Sequence, residues 1–107
     1  MKQKELHLVA FPFSDLSGTK VRPVLVVSND KFNAQSKDVI VCAITTRKQH
    51  SSQVLSSDDL DTGKLHTNCY IKAEIIFKCS KNVLLKKTGS VSDNILQITR
   101  KNIVNLL

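Results

Sequence analysis

Two stretches of this chain constrain its fold more than any other feature. Val21-Arg22-Pro23-Val24-Leu25-Val26-Val27-Ser28 and Asp38-Val39-Ile40-Val41-Cys42-Ala43-Ile44-Thr45 are rich in β-branched residues and show no polar alternation. Such runs read as strands, and a strand without alternation needs apolar cover on both faces. The whole chain has 107 residues, enough for one core and one domain spanning residues 1–107. The cover must therefore come from a helix laid on the sheet, from curling of the sheet, or from a second copy. The longest apolar run, Val39–Ile44, is far short of the ~18 residues that cross a bilayer, and Met1-Lys2-Gln3-Lys4-Glu5 does not open a signal peptide. Membrane and secreted classes are set aside, and a cytoplasmic location is expected.

The remaining segments supply shorter elements. Leu6–Phe13 reads as a strand ending near Pro12, followed by a turn-rich loop, Ser14-Asp15-Leu16-Ser17-Gly18-Thr19. Asn29–Lys37 reads as a polar connection anchored by Phe32. Residues 46–66 form a long polar stretch holding one short strand, Gln53-Val54-Leu55, and connections of that length are usually functional. Asn68–Ala73, Ile75–Cys79 and Val83–Lys86 read as further strands, the last ending before Gly89. Beyond it Val91, Ile95, Ile98, Ile103 and Leu106 recur at helical spacing, with Leu96 and Leu107 widening the same side. Ser92 suits the N-cap, Asp93 the first turn, and Arg100 and Lys101 the later turns. Short strands followed by one amphipathic helix predict a small antiparallel β-barrel.

Sixteen Lys and Arg against nine Asp and Glu give a net charge of +7. Residues 61–107 carry eight basic and three acidic groups. A polyanionic partner, nucleic acid or an acidic protein segment, fits that balance, and so does plain solubility. Three cysteines, Cys42, Cys69 and Cys79, include no Cys-x-x-Cys pair, so neither a disulfide framework nor a zinc site is expected. Asp58-Asp59-Leu60-Asp61 lacks the spacing of a metal loop and reads as a turn.

The segment from Phe11 to Ser28 resembles the opening signature of the MazF/PemK family of ribonuclease toxins. Asp38–Thr46 resembles the family's second signature, an apolar strand ending in Ile-Thr. Thr62-Gly63-Lys64-Leu65 before Cys69-Tyr70-Ile71-Lys72, and Lys87-Thr88-Gly89-Ser90-Val91-Ser92, resemble its PemK-like subgroup. Lys4-Glu5 departs from the Gly-Asp that many members carry before the first strand. The resemblance implies an SH3-like β-barrel of the CcdB/Kid/MazF type with a C-terminal α-helix, built as a homodimer. It also implies cleavage of single-stranded RNA without metal or other cofactor, and neutralisation by an acidic antitoxin protein.

By the same resemblance Arg22 and Thr45 match the family's catalytic pair. A guanidinium holds two phosphoryl oxygens at once, which an ammonium does less well, and a threonine hydroxyl donates to the same group. Because a guanidinium has a pKa above ~12, charge stabilisation suits it better than proton donation. The general base is unassigned, with Asp15 a candidate by loop position alone. On local grounds Arg22 also reads as a surface residue at a strand start, and Thr45 as an ordinary strand residue. Phe13, Ser14, Asp15, Ser17 and Lys20 on the first loop are the expected RNA contacts, with Thr46, Arg47, Lys48 and His50 on the second. With Phe, Trp and Tyr only 5% of residues, a broad stacking platform is not expected, and Phe13 is the one stacker foreseen. His7 reads as a surface or barrel-face residue and His66 as solvated.

Two other readings use the same barrel. One is a non-catalytic protein that inhibits a topoisomerase-like target or binds single-stranded nucleic acid. The other is a degenerate toxin retained for antitoxin binding or autoregulation.

Overall fold

Backbone pairing resolves the double-cover requirement. The structure is a computed structural model that describes residues 1–12, 19–48 and 53–107, and the backbone only of Phe11, Pro12, Thr19 and Lys20. Its strands are β1 (Glu5–Pro12), β2 (Thr19–Val26), β3 (Asp38–Thr45), β4 (Gln53–Leu55), β5 (Leu60–Gly63), β6 (Cys69–Ser80) and β7 (Leu84–Val91). Among the described residues there are two α-helices, α1 (Asp30–Gln35) and α2 (Asp93–Val104), besides two short 3-10 turns. All seven strands form one antiparallel sheet in the order β4-β6-β3-β2-β1-β7-β5, curled into a half-barrel. The expected mainly β fold with a C-terminal helix is the one observed.

β2 and β3 lie at the centre of this sheet, and each divides its apolar residues between two cores. On one face Leu25, Cys42 and Ile44 join Leu6, Leu55, Cys69, Ile71, Val91 and Ile95. On the other Val24, Val26, Val39 and Val41 join Val9, with Phe77, Cys79 and Leu84 packed against them. α2 covers the first face through Ile95 and Leu96, and on the second Phe77, Cys79 and Leu84 stand directly opposite Val41, Val39 and Val9 and pack against them. Burying a Val or Leu side chain fully stabilises by roughly 1.5–3 kcal/mol, which is why the unalternated strands must be central.

Several boundaries differ from expectation for identifiable reasons. Asn29–Lys37 contains α1, because the Asn29 side chain accepts from the Phe32 N–H at 2.8 Å and caps a helix of 6 residues. Buried Asn33 then locks that helix to Ser28, its side-chain amide donating to the Ser28 carbonyl at 2.9 Å. The two strands expected over Asn68–Cys79 are one, β6, whose pairing with β3 jumps from Cys42↔Ile76 to Ala43↔Lys72. That bulge over residues 73–75 breaks the alternation. β7 runs through Gly89 to Val91, with two irregularities against β1 that hid its period. β5 was not foreseen as a strand.

Ser92 caps α2 as expected, its Oγ accepting from the Ile95 N–H at 3.3 Å. The buried face is narrower than the apolar pattern suggested. Ile95, Leu96 and Thr99 are buried, while Ile98 is 39% exposed and Leu106 and Leu107 are open to solvent. Thr99 lies midway between Ile95 and Leu96 around the helix axis, and Ile98 falls about 100° to one side of it. Leu106 and Leu107 follow the last helical residue, so a helical projection does not apply to them.

Candidate functional site

Pro23 shapes the region around the two residues singled out by chemistry. The Val27 N–H donates to the Ile40 carbonyl at 3.0 Å. Strand alternation then points the backbone nitrogens of residues 25 and 23 toward β3 as well. Residue 23 is proline and has no N–H to give, so the β2–β3 ladder of Val26↔Val41, Leu25↔Cys42 and Val24↔Ala43 ends there. Counting the same register two residues further sets Arg22 opposite Thr45. Arg22 and Thr45 thus flank the point where the two central strands stop pairing with each other.

Both are half-buried, and both belong to the sheet face turned away from α2. Thr45 closes β3, and its hydroxyl oxygen accepts from the Arg47 N–H at 3.1 Å. That bond uses the oxygen as an acceptor and leaves the hydroxyl hydrogen to be donated elsewhere. Pairing extends the row in both directions, Val9 standing opposite Arg22 and Tyr70 opposite Thr45, with Val54 of β4 opposite Tyr70. Residues paired directly across antiparallel strands share a face. Val9, Arg22, Thr45, Tyr70 and Val54 therefore fall in one transverse row of that face, interrupted between Arg22 and Thr45 where the β2–β3 pairing has ended.

Thr46, Arg47 and Lys48 follow Thr45 directly past the end of β3 and are exposed, so two cations continue the chain from this row. Lys72, half-buried, faces Ala43 one pair along on the same face. Phe13, Ser14, Asp15, Ser17 and His50 lie outside the described residues, and Lys20 is described only as the backbone partner of Phe11. His66 is exposed. His7 is buried, its Nε2 2.9 Å from Glu5 Oε1, and Lys87 Nζ lies 3.2 Å from Glu5 Oε2. Asp59 is a capping residue, its carboxylate accepting from the Ser56 N–H at 2.8 Å, which agrees with the turn read there. Among the described residues no three His, Cys, Asp or Glu side chains gather to hold a metal ion.

Tyr70 and Lys72 were not singled out from the sequence. The alternation Cys69-Tyr70-Ile71-Lys72 carried the signal, since Cys69 and Ile71 are buried under α2 and their neighbours must face the other way. A cavity of about 580 Å³ lies elsewhere, between α2 and the Val27–Phe32 segment. It opens on the α2 side of the sheet and has no part in the Arg22–Thr45 row. No described helix is long and apolar enough to cross a membrane.

Comparison with known proteins agrees with this architecture. Residues 2–107 match the profile of a family described as PemK-like, MazF-like toxin of type II toxin-antitoxin system. No curated protein matches the chain. Among solved structures, an endoribonuclease in complex with its cognate antitoxin from a mycobacterial species superposes with a TM-score of 0.72 at 20% identity, covering 100% of this chain and 97% of that one. Mycobacterium tuberculosis toxin MazF-mt6 gives 0.74 at 16% identity, with 94% and 93% covered. A chain of the MazE-MazF structure from Deinococcus radiodurans gives 0.72 at 16% identity, with 99% and 94% covered. At such identities the likeness is one of fold.

Proposed function

The chain belongs to the PemK-like, MazF-like toxins of type II toxin-antitoxin systems, and from that membership we propose that it is an endoribonuclease cutting single-stranded RNA. The observation that supports this reading is the β2–β3 ladder, which stops at Val24↔Ala43 beside Pro23 and leaves Arg22 and Thr45 flanking its end on one sheet face. One residue brings a permanent positive charge and a planar donor fork, the other a hydroxyl hydrogen not consumed by the backbone.

The nucleophile is the RNA's own 2′-hydroxyl, so neither metal nor other cofactor is required. The 2′-oxygen forms a bond to phosphorus as its proton leaves to a base, and the bond from phosphorus to the 5′-oxygen breaks. The departing 5′-oxygen gains a proton, leaving a 2′,3′-cyclic phosphate and a 5′-hydroxyl. Negative charge builds on the non-bridging oxygens along this path. Donors already fixed in place stabilise it without reorganisation, an effect worth about 2.7–4 kcal/mol per well-placed donor. Arg22 takes that task with Thr45 assisting. Lys20, Arg47, Lys48 and His50 hold the flanking backbone, while Phe13, Ser14, Asp15, Ser17 and Thr46 contact bases and sugars.

The relatives' partners extend the proposal. One neighbour is an endoribonuclease in complex with its cognate antitoxin, and a net charge of +7 suits an acidic antitoxin here. The active form is a homodimer working in the cytoplasm.

The test is cleavage of a long single-stranded RNA by purified protein in EDTA, with the ends of the products mapped. A 2′-deoxy substitution at the cut position should block cleavage, and folded Arg22→Ala protein should lose it. Cleavage that survives Arg22→Ala removes the assignment of Arg22. Growth arrest with intact cellular RNA, or salt-sensitive nucleic-acid binding without scission, would replace the nuclease by a topoisomerase-type inhibitor or a simple binder.

A further inference from the structure

We infer that Tyr70 is the stacking platform for a base next to the cut linkage, a role resting on the nuclease reading above. Tyr70 pairs with Thr45 on one side and Val54 on the other, in the same row and on the same face as Arg22. It is half-buried, so one part of the ring is anchored while the rest is accessible.

Two further observations favour a ligand over a structural role. A tyrosine buried for packing normally finds a partner for its hydroxyl. No hydrogen bond joins the Tyr70 hydroxyl to any described residue, and that oxygen is not buried. Val54 beside it is 50% exposed, so aromatic and aliphatic surface lie together at the end of the row, close in sequence to the exposed cations Arg47 and Lys48. An apolar step next to positive charge suits a nucleotide, whose base has an apolar face and whose phosphate is an anion. The row then reads as a strip on which the phosphate lies at Arg22 and Thr45 and the adjacent base on Tyr70.

The composition supplies a direct probe. Tyr70 is the chain's single tyrosine and there is no tryptophan, so intrinsic emission near 300 nm reports on this side chain alone. A pool of short single-stranded 2′-deoxy oligonucleotides, which cannot be cut by 2′-hydroxyl attack, should quench that emission saturably. Tyr70→Ala should weaken binding of the same pool roughly tenfold, while Tyr70→Phe keeps it. Failure of the pool to bind, binding with unchanged emission, or equal quenching by heparin, a polyanion without bases, overturns the inference. Equal weakening by Tyr70→Phe and Tyr70→Ala also overturns it, because the hydroxyl would then be the contact. Where Tyr70→Ala does not fold, the emission of the unaltered chain still decides. RNA cut normally without any emission change sinks the platform and spares the nuclease. Quenching in a protein that cuts no RNA sinks the nuclease, and with it the placement beside a cut linkage, while leaving Tyr70 a base contact.

Discussion

Gly63 and Gly89 face each other across β5 and β7 with no room for a side chain on either. A Cβ on Gly89 would lie 2.4 Å from the Thr62 carbonyl oxygen, and one on Gly63 would lie 2.4 Å from the Thr88 carbonyl oxygen. The two Thr-Gly pairs noted in the sequence are thus one structural feature, the close crossing that joins β5 to the edge of the sheet. Gly63 also has a φ of +89°, which an L side chain adopts only with strain. Gly89→Ala should destabilise the protein by about 1–3 kcal/mol, the ordinary cost of forcing atoms into a filled space. Thermal unfolding should show a lowered midpoint, and Gly63→Ala should fall further because its backbone is strained as well.

Thr45→Val removes the hydroxyl but keeps the branched shape that suits the end of β3. RNA cleavage should drop roughly 100-fold or more, and Thr45→Ser should recover most of it. The valine variant also loses the acceptor for the Arg47 N–H, so its unfolding midpoint should be measured beside its rate. A Thr45→Val protein that cuts RNA at the normal rate would remove Thr45 from the site.

Glu5 makes stability depend on acid. Burial opposes its charge, but the hydrogen bonds from His7, from the Lys2 N–H and from Lys87 outweigh that and hold its carboxyl below the ordinary value of 4.5. A group with a lowered pKa in the folded state contributes fully above its unfolded value and loses that contribution as pH falls through the folded one. Wild-type protein should therefore lose stability as pH drops below 4.5. Glu5→Gln should be less stable at neutral pH and show a flatter acid limb in denaturant titrations.

Cys42 should be chemically silent in the native state. Burial, with the Glu74 charge adding to it, pushes its thiol up to about 12, and its Sγ lies 2.9 Å from the Lys72 carbonyl oxygen. Alkylation depends on the thiolate. Mass spectrometry after iodoacetamide treatment at mildly alkaline pH should find Cys42 unmodified until the protein is unfolded. Cys79, half-buried, should react first. Rapid labelling of native Cys42 would contradict the core described.

The sequence carried most of the strands. β3 and β4 fall on the residues read for them, and β1 and β2 are displaced by one or two positions, because propensity and burial agree in those segments. α1 was hidden, since its stability comes from Asn29 and from Asn33 docking on Ser28. Those contacts are local, but Ser28 and Asn33 are held in place by the Ile40 N–H and by Lys81, which reach them only once the sheet is assembled. Tyr70 was passed over although Cys69-Tyr70-Ile71-Lys72 alternates, because which face lies toward Thr45 depends on the pairing of β6 with β3.

By itself the sequence determined that one apolar run follows Arg22 and another ends at Thr45, since those runs are unstable unless buried on both sides. It also determined that Pro23 cannot donate a backbone hydrogen bond. Only the tertiary structure decided that the two strands are antiparallel neighbours whose ladder stops short of Arg22 and Thr45, with the missing donor of Pro23 directed toward β3. Strand order and register depend on side chains distant in the chain finding a common core, which local pattern does not encode.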